Sequence, residues 1–144
     1  MLAILIVSAS IVYSQYLAKK IALEERQKVE QWVEASNSLL NPNETDTRLP
    51  SKIILDNNDI PIITTNEKDS IIDASNLDTA LIATDKSYLP KKLKELAAIN
   101  DPTTWQDPLN PTHINKYYFG HTRLLNEVRY YPIVQLVIVA LFII

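Results

Sequence analysis

The 144-residue chain has no cysteine, one glycine, one methionine and two histidines. Without cysteine there are no disulfides and no thiolate zinc sites. A lone Gly120 excludes a glycine-rich phosphate loop. His113 and His121 leave little for a histidine-based metal centre, and no metal site is expected. A net charge of −3 gives no reason to expect nucleic-acid binding. Charge is also missing from both ends. Residues 1–18 carry none, and neither do residues 132–144.

These apolar ends read as two membrane segments. Residues 1–18 lie at the short end of the roughly 20 residues a spanning helix needs. Tyr13 and Tyr16 suit a membrane–water interface, with Lys19 and Lys20 marking the exit. A cleaved signal peptide is the rival reading, but no basic residue precedes the run and the helical pattern continues past Ser8 and Ser10. At the other end, Arg129, Tyr130 and Tyr131 form a second interfacial cluster before a charge-free run. Thirteen residues are too few to cross a bilayer as a helix. Both segments are therefore expected to be cut, with Met1 not the natural start. A buried strand or core helix is the alternative for the C-terminal run. Left exposed on a soluble protein, however, it would be an aggregation hazard.

Residues 17–40 contain no Gly or Pro and four charges of each sign. Lys20/Glu24, Glu24/Lys28 and Arg26/Glu30 are four apart, as in an exposed helix. Ala18, Ala22, Glu25, Val29, Trp32, Ser36 and Leu39 recur at 4-3 spacing, a coiled-coil-like seam flawed by Glu25 and Ser36. Ala22, Val29, Trp32 and Leu39 either meet the same helix of a second subunit or pack on their own domain. The expected element is a stalk about 30 Å long, ended at Asn41-Pro42-Asn43.

Residues 41–122 read as a small α/β domain. Residues 41–86 are acidic, with nine acidic and four basic side chains. Residues 60–65 and 70–75 predict a hairpin around Asn66-Glu67-Lys68-Asp69. Pro61 confines the first strand to an edge or to a start at Ile62. Residues 51–55 are a helical turn or a short strand, and residues 78–82 suit a short helix. Residues 89–99 predict a helix with Pro90 in its first turn. Residues 101–112, with three prolines around Trp105, read as a loop. Residues 112–119 predict an aromatic strand that Gly120 breaks or bulges. Residues 123–144 form a helix entering the second membrane segment, with Pro132 placed to kink it.

On the aromatic strand, either Tyr118 or the Tyr117/Phe119 pair faces inward. Tyr117, Tyr118 and His121 are the candidate ligand-binding residues, with core packing as the rival role for the tyrosines and hydrogen bonding or capping for His121, which is also a candidate pH sensor. The scattered aspartates Asp56, Asp59, Asp69, Asp73, Asp78 and Asp85 lack regular calcium-loop spacing and suit a solvated face. Nothing pairs a nucleophile with a base, so no catalytic residue is expected, and an anchored hydrolase is the least favoured class.

Residues 17–32 resemble the first stalk helix of membrane sensor histidine kinases from Bacteroidetes-type bacteria. Residues 60–67 resemble their first sensor strand. Tyr117-Tyr118-Phe119-Gly120-His121-Thr122, Leu124-Leu125 and Arg129-Tyr130-Tyr131-Pro132 resemble the last strand, its turn and the approach to the second span. The resemblance covers the sensor part alone. It implies a homodimeric two-component receptor in the inner membrane, with residues 19–130 extracytoplasmic. It also implies a PAS-like or Cache-like antiparallel sheet and a small-molecule or protein signal. ATP, magnesium and a response regulator are expected only for a cytoplasmic kinase part that this chain lacks. The rival reading is a stand-alone anchored binding or assembly module.

Overall fold

The structure, a computed structural model, describes residues 1–143. It is α+β, with the element order α1 (Leu2–Leu40), α2 (Arg48–Asp56), β1 (Ile62–Thr65), β2 (Ile71–Ser75), α3 (Thr79–Thr84), α4 (Tyr88–Ile99), β3 (Thr103–Gln106), β4 (Ile114–Phe119) and α5 (Arg123–Ile143). The expected membrane segment and stalk are a single helix of 39 residues. The chain divides into two compact units. One is Met1–Arg26 with the segment from Thr122 onward; the other is Gln27–His121.

The second unit is built on a four-stranded sheet in the order β2-β1-β4-β3, antiparallel throughout. Pro61 stands just outside β1. The strand starts at Ile62 and occupies the centre, because its first residue no longer has to supply a proline nitrogen to the ladder. All four β1 residues are buried, so the sheet is covered on both faces. Ile62 pairs with Phe119 and Thr64 with Tyr117, which puts them on one face. There Val29, Trp32 and Val33 of α1 join Ile60, Ile62, Tyr117 and Phe119 in the main core, with Ile54 of α2 and Trp105 of β3 at its margin. Burying a Val, Ile or Phe side chain contributes about 1.5–3 kcal/mol. Ile63 alternates to the other face, on the side of α4 and its buried Leu96.

Local chemistry fixes the connections. The Asn66 side chain accepts from the backbone N–H of Lys68 and of Ser70, each at 3.0 Å, and Asp69 takes φ 58° to close the β1–β2 turn. Ile72 is left out of the pairing as a bulge. Asn76, at φ 59°, donates to the carbonyls of Asn57 (3.0 Å) and Ile60 (2.8 Å), tying the end of β2 to the approach to β1. Asp78 caps α3 by accepting from Ala80 and Leu81 N–H. Asp85 accepts from both N–H and hydroxyl of Ser87, which hold its carboxyl below the usual carboxylate range. Asp46 is likewise lowered by the Arg48 guanidinium that clasps it. The ambiguous residues 51–55 belong to helix α2.

Residues 101–112 are not all loop. Thr103–Gln106 form β3, paired with β4 from Thr103↔Tyr117 to Gln106↔Ile114. Pro102 and Pro108 flank rather than interrupt this strand, and their spacing suits an edge, where no second neighbour needs the N–H groups. Gly120 has no positive φ; its role is close approach. A Cβ there would lie 2.8 Å from Leu96 Cδ2 and 3.0 Å from Pro61 Cγ, while its N–H bonds the Pro61 carbonyl at 3.1 Å.

Candidate functional site: the α1–α5 joint

In the first unit, α1 and α5 run antiparallel. Glu25 meets Thr122. Ala18, with Leu17, Ile21 and Ala22 beside it, packs on Leu125 and Val128. Ile11, Ser14 and Gln15 line a cleft with Arg129 and Pro132. As α5 advances, its partners on α1 step back toward Met1. The apolar stretches therefore lie side by side and point the same way. In the most apolar 18-residue window of each helix only 11% is buried, which separates them from core helices of a soluble fold. Both are long and apolar enough to cross a membrane.

The collar residues follow this geometry. Tyr13 and Tyr16 on α1 and Tyr130 and Tyr131 on α5 are all more than half exposed. Arg129 and Lys19 line the same cleft between the helices. The antiparallel pairing thus brings both aromatic–basic clusters to one level. That is the arrangement an interface belt requires, and neither cluster alone reveals it.

At the head of the pair sits a buried carboxylate. Glu25 is 3% exposed and Thr122 is 6% exposed. A Glu25 oxygen accepts from the Thr122 N–H at 3.1 Å and also from the Thr122 hydroxyl. The same hydroxyl accepts from the Leu125 N–H at 3.3 Å, and the Thr122 carbonyl accepts from Asn126. Thr122 is therefore the N-cap of α5. Glu25 accepts from the Thr122 N–H, one of the backbone donors that a helix leaves unpaired at its start, and negative charge there also suits the helix dipole. Glu25, which reads as a flaw in the seam, is the residue that pins α5. The relevant signal was Thr122 three residues before Leu125, an N-cap spacing. Its distant acceptor on α1 has no sequence signature. The arrangement does place a hydroxyl on a carboxylate, but both are buried and the hydroxyl is also held as the acceptor of the Leu125 N–H. It serves as a fastener rather than as a nucleophile and base.

The other candidate residues lie in the second unit. Tyr117 is buried in the core, edge-on to Trp32 with ring centroids 6.1 Å apart, and its hydroxyl accepts from Asn37 Nδ2 at 3.2 Å. Tyr118 is half-buried on the opposite face of the sheet, and half-buried His121 follows Gly120 beyond the strand. The three do not converge on one cavity wall. Of the seam residues, Val29 and Trp32 are committed to the chain's own core. Ala22 packs beside α5, and Leu39 is 38% exposed. The alternative in which the helix packs on its own domain accounts for Val29 and Trp32.

Set against known protein families, curated proteins and solved structures, the chain matches none of them.

Proposed function

We propose that this chain is the signal-input region of a membrane-bound histidine kinase. It passes an extracytoplasmic cue through two inner-membrane helices to a cytoplasmic kinase outside these 144 residues. The observation that carries the reading is the antiparallel α1–α5 pair, with its aligned interfacial collars and its Glu25–Thr122 fastener. A sensor of this kind needs two membrane helices entering from one side and a fixed joint where displacement is handed on. Signalling further requires that the cue bind two arrangements unequally. A PAS-like or Cache-like role for the sheet domain, homodimer formation and phosphotransfer to a response regulator complete the proposal. ATP and magnesium belong to the kinase part alone.

Two measurements test it. Because the chain has no cysteine, Ser87→Cys in the exposed α3–α4 turn makes a single-site reporter. The expected result is labelling by a membrane-impermeant maleimide in intact cells; labelling only after lysis overturns the topology. The reading frame of the gene is then followed past codon 144. A helix bearing a phospho-accepting histidine and an ATP-binding domain are expected. A stop codon soon after would favour a stand-alone anchored module and end the kinase reading.

A further inference from the structure

The cleft between α1 and α5 measures about 300 Å³ and lies at the level of the tyrosine collars. Its two charged residues, Lys19 on α1 and Arg129 on α5, are both basic. Among the described residues neither side chain has an ion-pair or hydrogen-bond partner. The surrounding helices hold no acid to supply one. Residues 1–23 and 128–144 carry three basic side chains, Lys19, Lys20 and Arg129, and no acidic one. Like charges facing one cleft repel, and water screens them less at a membrane interface than in bulk. The uncharged polar wall is also unsatisfied. Ser8 returns its hydroxyl to the Ile4 carbonyl at 2.8 Å. The hydroxyl of half-buried Ser14, which lines the cleft, has no partner among the described residues. Ile11 and Pro132, farther along each apolar run, close the cleft with apolar surface. The medium at this level is lipid, because both helices continue into membrane-spanning stretches.

We propose that this cleft seats the headgroup of an anionic phospholipid, with its phosphodiester between Arg129 and Lys19. The guanidinium fork matches two phosphate oxygens, and the ammonium adds a point charge. The Ser14 hydroxyl donates to a further headgroup oxygen, and the acyl chains start against Ile11 and Pro132. Basic pockets between membrane helices suit lipid headgroups for these reasons. A zwitterionic headgroup would bring its own ammonium against the two cations. A soluble anion would leave the apolar end of the cleft unused. The inference rests on the membrane placement of α1 and α5 and is independent of the kinase reading.

The test titrates the full chain, purified in detergent, with phosphatidylglycerol and reads bound lipid by native mass spectrometry. Phosphatidylcholine with the same acyl chains is the control. The expected result is one retained phosphatidylglycerol, bound about tenfold or more tighter than phosphatidylcholine, as two basic contacts imply. Arg129→Gln should weaken it by about tenfold, as for loss of a charge-assisted contact. Arg129→Lys keeps the charge and should lose less. Lys20→Gln removes the same charge beside the cleft but outside its lining, and should leave binding unaltered. Equal affinity for the two lipids overturns the proposal, as does equal weakening by Lys20→Gln and Arg129→Gln. Displacement of the lipid by millimolar inorganic phosphate would assign the cleft to a soluble anion and overturn it too. Alkaline carbonate extraction of the membranes separates the two ways of failing. Release of the chain overturns the membrane placement, whereas a retained chain with no preference for phosphatidylglycerol overturns this proposal alone.

Discussion

Glu25 and Gly120 show how much a single position decides here. Replacing Thr122 by Ala removes the N-cap of α5 and leaves the Leu125 N–H unpaired. Cap loss costs about 0.5–2 kcal/mol, so the Leu125 amide should exchange with solvent roughly 2- to 30-fold faster, with Thr122→Ser restoring protection. Glu25→Ala should leave the buried Thr122 donors without an acceptor, at about 1–3 kcal/mol. Faster exchange at both Thr122 and Leu125 is the expected readout, and unchanged exchange would show that water replaces the carboxylate. Gly120→Ala places a methyl against Leu96 and Pro61. Leu96 is 2% exposed and has little room to yield, so a penalty of about 1–3 kcal/mol is expected. Combining it with Leu96→Val should cost less than the two changes added, because the smaller side chain clears the methyl. A melting-temperature cycle on the four proteins tests this.

At the scale of elements, the edges of the sheet are guarded. β3 is short and bounded by prolines, and β2 carries a bulge at Ile72 and an outward Asp73. Such devices discourage pairing with another chain. The α3–α4 turn is held by the Asp85–Ser87 bonds, and its stabilisation depends on pH with a definite sign. The folded carboxyl titrates below its usual 3.8. Its contribution is therefore complete above that value and is lost as the pH falls through the lower folded value. The Ser87 amide proton should track this titration by NMR with a midpoint under 3.8. Asp85→Asn should abolish the acid transition at Ser87.

For the whole molecule, the membrane reading makes a quantitative demand. A central arginine in a spanning helix costs about 2.5–3.5 kcal/mol on insertion scales. Ile143→Cys should resist an impermeant maleimide in native membranes, and adding Ile138→Arg should expose it. Ile72→Arg, an exposed site in the other unit, should not. Labelling of Ile143→Cys without the arginine would show that α5 does not insert. Pro132 lies inside α5 and removes one backbone donor. Spanning helices tolerate this when neighbouring groups re-satisfy the freed carbonyl.

Composition and periodicity by themselves determined the α+β class, the two apolar ends, the hairpin at residues 60–75, the α4 helix and the buried stripe on α1. Each of these is local, because hydrophobic spacing and turn residues act over a few positions. The strand β3 escaped, since four residues between prolines carry little periodicity and become a strand only by pairing with β4. Which face of the aromatic strand turns inward was undecidable from alternation alone; the register Ile62↔Phe119 and Thr64↔Tyr117 places Tyr117 and Phe119 in the core. The joint at Glu25 and Thr122 was equally invisible, because it brings together residues 97 positions apart. A burial pattern names what is hidden, but only tertiary packing supplies the partner across the gap, because that contact depends on how distant elements meet.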